Sequence, residues 1–274
     1  MKLVGSREAV RSPELHKKKE RVKKARYALY AILIAIFIVG PVFTLRSKSL
    51  QIRSVSLEGN QVTKEDDIRR IVTESLDGKY LWIIPKSSSL LFQRSTIERG
   101  LLAALPRLAS ADASLSDTKT LRVAVTERTP YALYCSDISN AENPAECFFL
   151  DETGYIFSEA PDFSGGVYMV YAADPPFDPP LRRRFLPDQS FKNLDKFARD
   201  LVKLRLEPLV VVRKHDEYDA LLRSGPVLKW KSGQDLEHLA LDLEAFLNES
   251  KMKAGDISKL QYLDLRFDNK VFYR

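Results

Sequence analysis

The sequence predicts an α+β protein behind a single N-terminal membrane-spanning helix. Three observations predict it: an uncharged apolar run near the start, a segment in which two helical stripes lie between strands, and a longer strand-rich segment holding two more helical stripes.

The run is YALYAILIAIFIVGPVFTL, residues 27–45, with no charged side chain before Arg46. As a helix its nineteen residues would measure about 28 Å, close to the roughly 30 Å of bilayer hydrocarbon. Gly40 and Pro41 are tolerated in membrane helices, and Tyr27 and Tyr30 suit the headgroup level at the basic end. A cleaved signal peptide is the rival reading. It fits worse, because the run exceeds an apolar region of about 15 residues and no A-x-A-like site follows.

Charge is distributed unevenly. Residues 1–26 hold ten of the 43 Lys and Arg and three of the 37 Asp and Glu, which leaves 33 basic against 34 acidic residues for the rest. The net +6 therefore belongs to the tail, and nucleic-acid binding by the folded part is not expected. Lys17 to Arg26 crowd one flank of the run, whereas Arg46 and Lys48 are the only charges just past the other. The positive-inside rule then puts residues 1–26 in the cytoplasm as a basic tail and residues 46–274 outside. Each tail Lys or Arg near anionic headgroups adds about 1 kcal/mol of attraction to the lipid bilayer.

Residues 50–129 read as strand, helix, helix, strand, strand. Val55 and Leu57 alternate with polar neighbours, and Gly59-Asn60 turns the chain. Thr63 with Asp66 resembles a capping box before Ile68, Ile71, Val72 and Leu76; Ser95 with Glu98 matches S-x-x-E before Ile97, Leu101, Leu102 and Leu105. Ala109, Ala111, Ala113 and Leu115, then Leu121, Val123 and Val125, alternate as two strands joined around Asp117–Lys119. A sheet with one face covered by two helices makes a compact domain of about 80 residues.

Residues 130–274 are strand-rich: YALYC, CFFL, YIF after the turn Asp151–Gly154, and VYMVY at 167–171. DPPFDPP, 174–180, must be irregular, since its prolines remove ladder donors. A helix follows through Phe191, Leu194, Phe197, Leu201 and Leu204, then a buried strand at 209–212 and a hairpin of 218–222 with 226–230. Leu236, Leu239, Ala240, Leu243 and Phe246 mark another helix, and strands near 260–267 and 270–273 end the chain. Cys135 and Cys147, both on the extracytoplasmic side, either form a disulfide across a polar loop or remain buried thiols. The oxidising compartment favours the bridge.

Four stretches resemble the FtsQ/DivIB cell-division proteins: IRSVSLEGN (52–60), LRVAVTERTPYA (121–132), FLDETGYIF (149–157) and YLDLRFDN (262–269), in this order behind one anchor. The resemblance implies that 50–129 is a POTRA domain and 130–274 the family's β domain, built on an antiparallel sheet. It implies scaffolding rather than catalysis: capture of FtsB/FtsL-like coiled-coil proteins and other divisome members at the septum, linked to peptidoglycan synthesis. In the family the partner adds to a strand edge near the C-terminus, a mode in which backbone hydrogen bonds supply affinity and alternate side chains supply selection. Transferred here, the partner-binding residues are Tyr262, Arg266, Phe267, Asn269, Val271, Phe272 and Tyr273. Leu263 and Leu265 are expected in the core, whereas Phe272 and Tyr273 suit either core or interface.

No catalytic, metal or cofactor site is expected. His16 lies in the tail, His215 in a polar turn and His238 on a helix, each without a second ligand at metal spacing, and G-x-S-x-G and P-loop patterns do not occur. A cell-wall enzyme would need a free cysteine as nucleophile, and a ligand sensor would need a deep apolar pocket in the second domain.

Overall fold

The structure, a computed structural model, describes residues 13–162, 166–249, 257–267 and 270–274. The chain divides into two compact units. One takes the residues up to Gly59 with Lys64–Leu101 and Ala111–Ala124, and the other takes Asn60–Thr63, Leu102–Ser110 and Val125–Arg274.

In the first unit, α1 (Pro13–Leu45) begins well inside the basic tail, with Pro at the first helical position where its missing N–H is harmless. Arg21–Leu45 is long and apolar enough to cross a membrane, and none of its apolar window is buried. An apolar helix left bare on all sides fits lipid better than water.

A three-stranded sheet follows in the order β1 (Ser54–Glu58), β5 (Thr120–Glu127), β4 (Leu108–Leu115), with β1 and β5 parallel from Ser54↔Thr120 to Glu58↔Ala124. Between β1 and β4 run α2 (Glu65–Leu76), a small hairpin of β2 (Lys79–Tyr80) with β3 (Ile84–Pro85), and α3 (Arg94–Ala104). The hairpin is an addition to the expected order. Ile68, Ile71 and Val72 of α2, Ile97 and Leu101 of α3, and Leu121 and Val123 of β5 are buried. Arg69 Nη1 donates to the Val55 carbonyl at 2.6 Å and the Ala113 N–H donates to Glu98 Oε1 at 3.0 Å, so each helix is tied to a strand by a polar contact as well.

Neither expected capping box forms. The N-cap of α2 is Lys64, without a side-chain cap bond, and the carboxylate of Glu127 instead accepts the N–H groups of Gln61, Val62 and Thr63 at 2.8–3.2 Å. In α3, Ser95 lies inside a helix that starts at Arg94, and Glu98 is spent on Ala113 and Arg94. The alternation expected for β4 also breaks. Leu108 and Ala113, five residues apart, are buried, while Ala109 and Leu115 are exposed.

The second unit is built on a nine-stranded sheet. Its strands in chain order are β6 (Ala132–Asp137), β7 (Ala145–Leu150), β8 (Ile156–Glu159), β9 (Val170–Ala173), β10 (Pro208–Arg213), β11 (Glu217–Leu222), β12 (Val227–Lys231), β13 (Tyr262–Phe267) and β14 (Lys270–Tyr273). In space they run β14-β13-β12-β11-β10-β9-β6-β7-β8. The expected antiparallel sheet is mixed. The β6–β9, β9–β10 and β12–β13 pairs are parallel and the other five antiparallel. The reason is connectivity: α4 (Asp188–Lys203) lies between β9 and β10 and α5 (Leu236–Glu249) between β12 and β13, and a crossover returns the chain in the same direction. The strand expected over 167–171 runs from Val170 to Ala173, and the proline loop holds two cis bonds, Asp174–Pro175 and Asp178–Pro179.

Both helices pack on one face. Phe191, Leu194, Phe197 and Leu201 of α4 and Leu239 and Leu243 of α5 bury with Tyr134, Tyr171, Leu228, Trp230, Leu263 and Leu265. The alternate residues Leu133, Cys135, Val170, Ala172, Val210 and Val212 form a second core on the other face. A buried carboxylate anchors α4: Asp195 accepts from Tyr131 at 2.6 Å, from Tyr171 at 2.8 Å and from Arg199 Nε at 2.8 Å. Burial first, then the adjacent Asp195 charge, holds the Tyr171 hydroxyl far above the usual phenol range, so it stays a donor.

The β7–β8 turn is specified by two residues. Gly154 has φ +73°, and a Cβ there would stand 2.7 Å from Cγ of Phe191. Asp151 Oδ1 accepts from the Thr153 N–H at 2.8 Å, the Thr153 hydroxyl at 2.7 Å and the Tyr155 N–H at 3.0 Å, while Oδ2 pairs with Arg128. Burial alone would raise this carboxyl, but the bonds from Thr153, Tyr155 and Arg128 outweigh it and hold it below the usual range.

Two outcomes follow from this turn. Gly154→Ala should lose about 2–4 kcal/mol in denaturant unfolding, combining left-handed strain with a clash that a packed ring cannot yield to. Asp151 is depressed in the folded state, so its contribution is present above the unfolded value of about 4 and fades as pH falls through the lower folded value. Asp151→Asn should therefore cost about 3 kcal/mol at pH 7 and flatten the loss of stability on acidification below about pH 4.

Candidate partner-binding edge

An open sheet has two edges, and those of the nine-stranded sheet differ. At β8 the 182–185 segment lies alongside: the Ile156 N–H donates to the Arg183 carbonyl at 2.8 Å, the Arg182 N–H to the Ile156 carbonyl at 2.9 Å, and Tyr155 bridges to Arg184. Arg107 Nη2 adds a bond to the Ser158 hydroxyl at 3.0 Å. At β14, among the described residues, only β13 and the Gln261–Tyr262 backbone are hydrogen-bonded to the strand and its end, and its outer side is bare. Among the described residues, one edge is covered and the other is not.

The residues singled out in sequence fall into three groups. Phe267, Phe272 and Tyr273 are 51%, 48% and 51% exposed, a large apolar display for the last two strands of a sheet. Phe267 and Phe272 meet edge to face with centroids 5.1 Å apart, and Lys231 Nζ sits 5.8 Å from the Phe267 centroid. Val271 packs on the helix-side core and Tyr273 lies 5.5 Å from the Phe246 ring of α5. Phe272, between them, turns away by strand alternation. Leu263 and Leu265 are buried in the core as expected.

Arg266 and Tyr262 are employed inside the protein. Arg266 donates to both Asp264 oxygens at 2.9 and 2.6 Å and, through Nη1, to both Glu217 oxygens at 2.8 and 3.0 Å, tying β13 to β11 across β12. Its hydrogen bond to Asp264 holds that carboxyl below its usual range against the opposing effect of burial. Tyr262 pairs with Val227 on one side, and its carbonyl accepts the Arg274 N–H at 3.4 Å on the other. Asn269 lies outside the described residues.

Beside the edge runs a groove of about 540 Å³ lined by His238, Asp242, Phe246 and Glu249 of α5 and by Phe267 and Lys270 of the final hairpin. The α5 contributors recur at three- and four-residue spacing, on a stripe next to the buried Leu239 and Leu243. That spacing was readable in the sequence, but nothing in it told which strand the stripe would meet. His238 Nε2 stands 3.8 Å from Asp242 Oδ1 on the groove wall.

Cys135 and Cys147 form a disulfide between paired positions of β6 and β7. In the strand order β6 stands six places from β14, about 29 Å at roughly 4.8 Å per strand, so the bridge is no part of this site. Neither sulfur is a thiol, and the nucleophile that a cysteine enzyme would need is occupied.

Because Arg266 pairs with Asp264 and Glu217, Arg266→Ala should lower stability by about 1–3 kcal/mol by stranding the buried Asp264. The loss should be read in denaturant unfolding of the variant against the wild type. No protein-family model and no curated protein matches this chain.

Proposed function

We propose that this chain is a single-pass membrane protein of the bacterial division machinery, with its N-terminus in the cytoplasm and its bulk outside as a non-catalytic docking platform. Its partners in this reading are FtsB/FtsL-like coiled-coil membrane proteins, gathered at the septum and linked through it to peptidoglycan synthesis. The observation that carries the proposal is the outer side of β14, left unpaired by the described residues and flanked by exposed Phe267, Phe272 and Tyr273.

A strand added there would gain about 1 kcal/mol net for each backbone hydrogen bond, and each aromatic ring sealed from water about 1.5–3 kcal/mol. The rings therefore decide affinity, and the backbone decides register. The groove beside α5 gives a partner side chain a place to enter. An exposed edge of this kind is otherwise an aggregation hazard, which favours a dedicated partner.

Two further features support the reading. The apolar stretch of α1 behind a basic flank suits an N-in anchor. The order β1-α2-α3-β4-β5, with β5 central, suits a POTRA domain over 50–129.

Phe272→Glu with Tyr273→Glu should abolish co-purification of the coiled-coil partner from division-competent cells while leaving the unfolding transition in place. Photoreactive residues along 270–274 should crosslink to that partner, and those in β8 should not. Unchanged co-purification by the double variant removes β14 as the binding edge.

A further inference from the structure

The first unit carries a second apolar feature that the docking edge does not use. Leu81, Trp82 and Ile83 form the tip of the β2–β3 hairpin, with Leu81 84% and Trp82 93% exposed. Leu90 and Leu91, a few residues further on, are exposed as well. The tip is closed by the Ile83 N–H on the Tyr80 carbonyl at 3.0 Å, and Leu81 and Trp82 sit at φ +47° and +66°. Asn and Gly are the usual residues for such a turn, and a branched or bulky side chain there costs about 1–2 kcal/mol at each position. A turn that served only to reverse the chain would have no use for Leu-Trp. These side chains are unfavourable both for the backbone and for water.

What lies against them is indicated by the chain path. The base of the hairpin is bonded to the segment that leaves α1: the Ile52 N–H donates to the Ser87 carbonyl at 2.8 Å, the Ser89 N–H to the Leu50 carbonyl at 2.7 Å, and Gln51 bridges to Ser88. β3 also packs against α1. Leu50 lies only five positions past Leu45, and the last three of those residues, Lys48–Leu50, form a single 3-10 turn. Even fully extended they could span no more than about 17 Å. That tether and the β3–α1 contact hold the hairpin base close to the end of the apolar helix, within reach of the headgroup layer, which extends some 5–8 Å beyond the hydrocarbon. Trp and aliphatic residues flanked by cations, here Lys79 and Lys86, are the composition that this layer favours.

We infer that the Leu81-Trp82-Ile83 tip inserts into the membrane interface beside α1, in the leaflet facing residues 46–274, as a second lipid contact that sets the height of the first unit. The occupant is the bilayer itself. The inference rests on the reading of α1 as a membrane span and goes beyond it.

The test uses the full chain reconstituted into phosphatidylcholine and phosphatidylglycerol vesicles. The chain has two tryptophans, and Trp230 is fully buried in the second unit, so the spectrum of the wild type minus that of Trp82→Phe isolates Trp82. Trp82→Phe alters only an exposed turn. The expected result is a blue-shifted Trp82 component that loses most of its intensity when brominated acyl chains replace normal ones, and that resists acrylamide. Vesicle flotation separates the two readings. A chain that floats with its vesicles while Trp82 emits as a water-exposed indole overturns the interfacial tip alone, and would leave those residues to a protein partner. A chain that does not float overturns the span and the tip together.

Discussion

The fold of the second unit depends on two crossovers packing on one face of its sheet. Because β10 follows β9 in parallel and β13 follows β12 in parallel, the chain must cross over between each pair, and α4 and α5 are the means. Each helix then buries its apolar stripe against the sheet, with Phe197 of α4 edge-on to Trp230 at 5.1 Å as one point of contact. The second crossover has a further consequence. It carries the chain past β12, so the last two strands are added at the margin of the sheet and, among the described residues, the C-terminal strand has no strand neighbour on its outer side. The bare edge is a product of connectivity, and its aromatic residues are a product of sequence.

Buried or half-buried carboxylates do the detailed positioning. Glu127 gathers three consecutive N–H groups of the turn before α2, Asp151 organises the β7–β8 turn, Asp195 joins two tyrosines and an arginine beneath α4, and Asp264 receives Arg266. Each lies where desolvation would penalise a lone charge, and all four meet donors enough to offset it. Asp151 and Asp264 are held below the usual carboxylate range for this reason, and so is Glu127, where burial is opposed by the Thr63, Gln61 and Val62 N–H groups. Such contacts add modestly to net stability but punish alternative packings, because any slip leaves a charge unpaired.

The surface features point in two directions. In the first unit α1 and the Leu81–Ile83 tip expose large apolar side chains, and in the second Phe267, Phe272 and Tyr273 do so beside the α5 groove. Within the first unit, backbone bonds couple the segment leaving α1 to the base of the hairpin, so those two apolar features cannot move independently. Within the second, Arg266 ties β13, the strand beside the β14 edge, to Glu217 of β11.

The sequence by itself determined most of the elements, among them a helix long and apolar enough to cross a membrane. Nineteen uncharged residues are legible as a span because length and hydrophobicity need no partner to be read, and the stripes of α4 and α5 are legible because burial repeats every three or four residues. The two cysteines and the two final strands were legible in the same local way. Tertiary structure alone decided which strands are parallel, that Glu127 rather than Thr63 tends the start of α2, that β4 abandons strict alternation, and that Arg266 pairs with Glu217 across β12. Each of these depends on a residue far along the chain, and local periodicity carries no information about a partner sixty positions away. The Leu81–Trp82 tip stands between the two cases: its residues are plain in the sequence, but only the fold sets them on a strained turn beside the end of α1.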